Sequence, residues 1–518
     1  MTNRIVNRIV NQPVWLALYG VAVAFWPMLA SGFSLMQVDP ADTRHLNYVL
    51  EHDWRWMTGQ LPSLWDPAFF FPVRGVATYT ELMLGVTPFY GVWRLFGAQP
   101  DTAFQLWMLT VALLNYATAW LLFRRALAFE PLGASGAAFL VSFGNMRLAE
   151  LNHQHLLPHF FTFLAVHALV RLVTGAQRPR FWVFAFFASV VLQLYACLTL
   201  GWFLGFALGI ALLWSAAFKT PREALLALVR KQWIALAWGA LGAALALWPL
   251  LPPYRAAGRA LGARDWGETY GYLPQAHSWF FMGPHNWLAG WMTDLWGDGP
   301  RLGLGLVTTV AVLYAFWHWR PQPWLKVAGL TALTIVLTVT LYRGRLSPWQ
   351  LVAAVVPGAE GLRAVSRIGL VLLIPAAAAL ATFLQRTKPW LAWAVFVVCI
   401  VEQGARVPDT YPKEQLRKDV AQVAAAIPKD CRAFFYAPVG QPKYDEKTQL
   451  DAMWAGLELG IPTANGYSSH FPKDWTLLEH GLAPGADSAA LQNELARWEV
   501  RHFLVPGTVC FVAPGRSP

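Results

Sequence analysis

The run VWLALYGVAVAFWPMLASGFSLM (Val14–Met36) is apolar from end to end, and the stretch QVDPADTRHLNYVLEHDWRW (Gln37–Trp56) then supplies Asp39, Asp42, Arg44, Glu51 and Asp53 in quick succession. A run of that length crosses a hydrocarbon core of ~30 Å as a helix, so the charge that follows it stands at a membrane surface. Comparable runs lie at Thr102–Phe123, Leu132–Leu148, Leu156–Val170, Phe181–Thr199, Leu200–Phe218, Trp233–Leu251, Leu302–Trp319, Trp324–Tyr342, Ile368–Gln385 and Trp390–Val401. With the first they make about eleven spans. The composition agrees: of 518 residues 56% are hydrophobic and only 13% charged, against about 25% charged in soluble domains. The expected fold class is an all-α polytopic membrane protein with a small C-terminal soluble α/β domain.

The formal charge of +11 does not point to nucleic acid, because the basic residues are not gathered into a patch with interleaved aromatics. They punctuate the apolar runs. Treating Glu81–Gly97 as a juxtamembrane helix places Arg4/Arg8, Arg124/Arg125, Arg171/Arg178/Arg180, Lys219/Arg222/Arg230/Lys231, Arg320 and Arg386/Lys388 together on the cytoplasmic side, as the positive-inside rule requires. The N-terminus is then cytoplasmic. No cleavable signal peptide is expected, since the first run is long enough to remain as a span.

The opposite face collects residues 37–101, the turn Asn152–His155, the loops Pro252–Arg301 and Arg343–Arg367, and a tail from Glu402. Most of the acids and the loop histidines fall there, so any chemistry is expected on the outer face. The division expected is a transmembrane domain over 1–404, with its first outer loop at 37–101, and an extracytoplasmic α/β domain over 405–518. In the latter LRKDVAQVAAAI, DAMWAGLELG (ended by Gly460) and LQNELARW have helical spacing, whereas CRAFFYAP and VRHFLVP read as strands. Its most distinctive loop is NGYSSHFP (Asn465–Pro472). Cys431 and Cys510 fall in this part and can pair if it faces an oxidising compartment.

Three clusters carry candidate chemistry. The plain reading is that Asp39-Pro40 caps the following helix, with Asp42 a plausible N-cap of DTRHLNYVLEH; the other is a general base at the membrane surface, Asp42 first and Asp39 as second choice. In ELNHQHLLPHF (Glu150–Phe160), His155 and His159 are four apart and on one helix could hold a divalent metal with Glu150 or His153; the alternative is a polar cradle of His153, Gln154 and His155. No other cofactor is called for. In EGLRAVSRIG (Glu360–Gly369), Arg363 and Arg367 suit a lipid phosphate. The loop Ala263–Phe281 mixes polar groups with Trp and Tyr, as interfacial belts do. No phosphate loop, GxSxG, HExxH or dinucleotide motif is present.

DPADTRHLNYVLEH after a first span, WDPAFFFPVRG and TYTELMLGVTPFYG behind it, and a later turn at NHQH together resemble the GT-C superfamily of membrane glycosyltransferases, nearest to bacterial members with a GDTR-like first loop and an NGYS-type tail. The resemblance covers the first third of the chain. It implies an inverting hexosyl- or pentosyltransferase in a bacterial inner (plasma) membrane. The sugar would move from a polyprenyl-phosphate donor to a glycan or lipid acceptor of the cell envelope, among membrane lipids and on the extracytoplasmic side. By position it assigns catalysis to Asp42 or Asp39, with Arg44, Glu81, His153, Gln154, His155, Arg363 and Arg367 around the donor. Asn152–His155 stand where better-known members carry a D-x-D-like pair, and no WWDYG-like signature occurs. A transporter or flippase, or an assembly protein for a lipid-linked glycan, is the alternative reading.

Overall fold

The computed structural model describes residues 13–319, 322–342, 346–406, 409–437, 445–477 and 488–513; Arg4, Arg8, Arg320 and Arg343 lie outside them. The chain divides into two compact units. One holds Met1–Leu29, Trp107–Trp248 and Ala263–Pro408, and the other holds Ala30–Leu106, Pro249–Gly262 and Asp409–Pro518. The first outer loop, expected within the transmembrane domain, thus clusters with the C-terminal segment.

Among the described residues, seven helices are long and apolar enough to cross a membrane: Pro13–Ala30, Pro100–Ala126, Gln154–Val173, Pro179–Ala196, Leu198–Ala217, Lys219–Leu261 and Val365–Arg386. Leu306–His318, Pro323–Val339 and Pro389–Glu402 are shorter apolar helices, and Pro131–Phe143 is a further short one, buried along most of its length. The protein is a multi-pass helical membrane protein. In the first unit Gly369–Arg386, buried over most of its length, packs on Pro131–Phe143. Small residues permit that approach, since a Cβ on Gly133 would stand 3.1 Å from the Ala381 carbonyl oxygen. Close backbone packing is what joins helices where lipid removes the hydrophobic drive.

Several boundaries differ from expectation for local reasons. The first helix stops at Ala30 rather than Met36; it is already bent at Phe25, two residues before Pro27, which cannot donate to the helix ladder. Gly32 and Phe33 then take positive φ and turn the chain. The expected run Leu132–Leu148 breaks at Gly144, whose backbone is extended, and the side chain of Gln403 accepts the Asn145 amide at 2.9 Å. Trp233–Leu251 proves to be part of a helical stretch from Lys219 to Leu261, bent at Gln232. In Glu81–Gly97 the helix is Thr87–Leu95, about 13 Å long at 1.5 Å per residue, too short to span.

One buried carboxylate secures a helix start in this unit. Glu402 Oε1 accepts from Val307 N at 2.8 Å, and its Oε2 accepts from Thr308 N at 3.0 Å and Thr308 Oγ1 at 2.8 Å. The opening amides of a helix lack intrahelical partners and favour negative charge. Glu402→Ala is therefore expected to destabilise the protein by about 3 kcal/mol, read as a lowered unfolding midpoint in lipid nanodiscs, with Glu402→Gln intermediate.

The second unit is built around the helix Asp42–Met57, whose residues Thr43–Asp53 are all buried. It packs on Thr87–Leu95 and on Glu446–Leu459. Leu35–Met36 pairs antiparallel with Tyr411–Pro412, and Phe434–Tyr436 pairs parallel with Cys510–Val512. The helices Lys413–Ala426, Glu446–Leu459 and Ser488–Arg501 are those expected from LRKDVAQVAAAI, DAMWAGLELG and LQNELARW, and Gly460 ends the second at φ 69°. VRHFLVP is not a strand. Val500 and Arg501 continue the last helix, whose buried stripe is Leu491, Leu495 and Trp498, while Phe503 and Val505 are exposed; the strand comes later, at Cys510–Val512. Cys431 and Cys510 form a disulfide.

The loop NGYSSHFP sits at the centre of this unit. Phe70 N donates to Asn465 O and Phe71 N to Thr463 O, while Thr463 N donates to Ala68 O, each at 2.9 Å. Asn465 fills its side-chain capacity on Tyr436 N and O, Thr463 Oγ1 and Gln449 Oε1. Any Cβ on Gly466 would overlap the Phe70 ring, so only glycine admits this contact.

Candidate functional site

In the second unit Asp39, one of the two capping candidates, takes the turn role: its Oδ1 accepts from Ala41 N at 2.8 Å and Asp42 N at 3.1 Å. Asp42 is the first residue of the helix. Its Oδ1 accepts from Tyr467 Oη at 2.6 Å, which fixes the carboxylate. The His45 ring meets the Tyr467 ring edge-on at 5.5 Å, and its Nε2 lies 3.0 Å from Thr80 Oγ1. Burial holds His45 down at about 4 in spite of the opposing charge of Asp42, so a neutral imidazole stands beside that carboxylate at pH 7. Glu446 is raised above the usual carboxylate range by burial, then by the charges of Asp42 and Asp39. Tyr467 and Glu446 are functional candidates that sequence reasoning missed, although the NGYSSHFP loop had marked the neighbourhood of the first.

Arg44 and Glu81 are placed elsewhere in this unit. Arg44 Nη2 pairs with Asp451 Oδ1 at 2.7 Å, both side chains buried, and so carries a structural ion pair. Glu81 lines a cavity of about 20 Å³ with His52 and Asp53. Burial lowers His52 to about 4 and raises Asp53 to about 7, the latter against a hydrogen bond from Thr87.

These shifts set a pH response with two signs. His45 and His52 protonate in the unfolded chain near 6.5 but only near 4 when folded, so each withdraws about 3 kcal/mol of stability as pH falls through that window. Asp53 acts oppositely: its stability is full below the unfolded pKa of ~3.9 and is lost as pH rises through about 7, so acidification restores about 4 kcal/mol. From these three groups the net loss between pH 7 and 4 is about 2 kcal/mol. Asp53→Asn is expected to steepen the acid-induced loss of protease resistance, since the compensating group is gone.

In the first unit the centre is Glu150. Its Oε2 lies 3.0 Å from His153 Nδ1 and 3.5 Å from Arg367 Nε. Burial alone would raise this carboxyl, but the His153 hydrogen bond and the charges of Arg367, His153 and Arg301 bring it down to about 2. Arg363 does not join Arg367 on this partner; its guanidinium lies over the Tyr272 ring at 5.2 Å, a cation–π contact. Gln154 and His155 are buried in a short 3-10 turn, and the His153 and His155 rings are 6.0 Å apart.

His155 and His159 do not share one helix. His155 lies in that turn, His159 precedes the helix Phe160–Val173, and His159 Nδ1 is 2.6 Å from Arg147 Nη2. Among the described residues no group of three or more His, Cys, Asp or Glu has the arrangement of a metal site. The arrangement thus offers a carboxylate positioned by a phenol in one unit and an acid held by Arg367 and His153 in the other.

No family model matches the chain, and no curated protein matches it. Among solved structures it is similar to arabinofuranosyltransferase AftD from Mycobacteria, at 16% identity and a TM-score of 0.48, over 83% of this chain and 29% of that one. The chain thus spans less than a third of that protein. It is similar also to ArnT from Cupriavidus metallidurans in the apo state, at 13% identity and a TM-score of 0.48, over 94% of this chain and 91% of the other.

Proposed function

We propose that the protein is a membrane glycosyltransferase of GT-C type that moves a sugar from a polyprenyl-phosphate donor to a cell-envelope acceptor on the extracytoplasmic face. The observation that carries this reading is the Tyr467–Asp42 hydrogen bond: it orients a carboxylate in the very loop whose sequence resembles those enzymes. Asp42 takes the proton as an acceptor hydroxyl attacks the anomeric carbon, the bond from that carbon to the phosphate oxygen breaks, and polyprenyl phosphate leaves. Inversion at the anomeric carbon follows from that single displacement. Within the first unit, taken by itself, Arg363 and Arg367 are the candidates for binding a phosphate, with His153, Gln154 and His155 as polar neighbours. The name of the mycobacterial neighbour, an arabinofuranosyltransferase, is compatible with this class.

The test is transfer of radiolabelled sugar from a polyprenyl-phosphate pool to membrane acceptors, comparing wild type with Asp42→Asn at matched protein level. Full activity in the variant removes Asp42 from the mechanism.

A further inference from the structure

The loop 284–300, which lies wholly in the first unit, carries an apolar surface that the proposed chemistry does not use. Trp287, Leu288, Trp291 and Leu295 are 47%, 54%, 58% and 65% exposed, and Trp296 is exposed beside them. Large apolar side chains gathered in this way are costly wherever water covers them, and such a patch marks a surface that something else covers. The loop is pinned to the ends of two apolar helices. Asn286 Nδ2 donates to Glu402 O and Gly404 O at 2.8 and 3.1 Å, Trp287 N donates to Gly404 O at 3.0 Å, and a Cβ on Gly404 would overlap the Trp287 ring. These contacts fix the loop at the end of Pro389–Glu402. On its other side Leu302 N donates to Ser278 O and Gly303 N to Phe281 O, just before Leu306–His318 begins. Glu402 ties those two helix ends together, so the patch stands at one end of both.

The outward faces of the same helices say what covers it. Leu306, Val310, Leu313 and Trp317 are exposed at spacings of four, three and four, one stripe along a helix, whereas Thr308, Ala311, Val312 and Ala315 are buried. Trp390, Val397 and Val401 form a like stripe on Pro389–Glu402. On a multi-pass membrane protein such stripes meet lipid. They end at Leu306 and Val401, and the loop continues the apolar surface from Trp287, beside Gly404. The two helices are 13 and 14 residues long, a rise of about 20 Å against a hydrocarbon core of ~30 Å, so added apolar surface at this end extends a short pair.

The loop backbone suits the same surroundings, where an amide without a partner is expensive. Leu288 N and Ala289 N donate to Asn286 Oδ1 at 3.0 and 2.8 Å, Gly290 N donates to Asn286 O, and the amides of Met292, Thr293 and Asp294 each donate to the carbonyl three residues back. The side chains thus point outward while the amides are satisfied from within. Asp294 and Asp298 are exposed, the latter paired with Arg301 at 3.2 Å, which sets the depth at the headgroup boundary favoured by Trp rather than in the hydrocarbon. We propose that the loop 287–296 inserts into the lipid headgroup region as an interfacial anchor, its partner being bilayer lipid rather than a second protein. This requires only the membrane-spanning fold and is independent of the transferase reading.

The native cysteines leave this surface open to labelling, since Cys197 and Cys399 are buried and Cys431 is bonded to Cys510. Trp291→Cys and Leu295→Cys, each carrying a nitroxide on the full-length protein in phosphatidylcholine nanodiscs, are read by power-saturation electron paramagnetic resonance. Oxygen, which concentrates in lipid, and a nickel chelate, which stays in water, are the two relaxing agents, and a label at Leu313→Cys on the exposed stripe is the lipid reference. Both loop labels are expected to meet oxygen more than the chelate, at a depth of about 5–10 Å and shallower than the Leu313 label. Labels as open to the chelate as a free nitroxide in water overturn the proposal. Labels shielded from both agents, as beneath a partner protein or a second copy of the chain, overturn it too. The unmodified protein supplies an independent reading: phosphatidylcholine with a photoactivated diazirine near its headgroup is expected to tag residues 287–296, and tagging of the 306–317 stripe without the loop would count against the anchor.

Discussion

Asp42→Asn is expected to reduce sugar transfer by ~10³-fold, within the ~10²- to 10⁴-fold span of general-base catalysis. The amide keeps the shape of the carboxylate but cannot take a proton from the acceptor hydroxyl. Tyr467→Phe separates orientation from chemistry, because it removes the 2.6 Å hydrogen bond and leaves the carboxylate. Its expected loss is about 10-fold, the effect of one hydrogen bond to a charged group. Tyr467 is thus a positioning residue, and its variant should lose kcat while the pH profile of transfer shifts, a change that a purely structural role would not cause. A Tyr467→Phe enzyme with unaltered rate and profile would leave the bond without a catalytic part.

Replacing Cys431 and Cys510 by Ser is expected to be the largest single perturbation of stability. The disulfide closes a loop of 79 residues, and the chain-entropy relation gives about 4 kcal/mol for a loop of that length. That is a large share of the ~5–15 kcal/mol that holds a native protein together. Protease digestion of intact vesicles, with and without a reductant, measures it: the untreated wild type should resist cleavage within 446–459 and 488–512, and both the reduced protein and the double variant should be cut there. Equal resistance in all three samples would show that other contacts suffice. The bond also accords with the proposed orientation, since disulfides persist on the oxidising side of a membrane.

The sequence shows the membrane helices clearly because each is a continuous apolar run, and lipid leaves a backbone little choice but a helix. Their ends were less legible. The Gly144 break depends on Gln403 accepting the Asn145 amide, a partner 258 residues away, and the early stop at Ala30 follows a proline inside an otherwise ideal run. VRHFLVP carried an alternation that looks like a strand, yet Leu491, Leu495 and Trp498 already commit the chain to a helix through Arg501.

The candidate site shows the same division. Asp42 was legible as a carboxylate at the end of a span, but its phenol partner was not, because nothing local links Asp42 to Tyr467. Asp39, not Asp42, takes the turn at the helix start, since the residue before Pro40 reaches the two amides that follow. Arg44 looked available for a donor in the linear sequence and is largely spent on Asp451. Arg363 and Arg367 looked like a pair, but an intervening 3-10 turn, Val365–Ile368, gives each its own partner.

The second unit gathers three separate segments of the chain, and this has a bearing on how the molecule is made. Tyr467 lies 425 residues beyond Asp42, so at ~5–20 residues per second the ribosome delivers it roughly 20–85 s later. Phe70, whose ring packs edge-on against Phe471 and Trp475 in the finished protein, waits through that interval for those two partners. A chain interrupted before Tyr467 would hold the acidic first loop, yet lack the phenol that hydrogen-bonds Asp42.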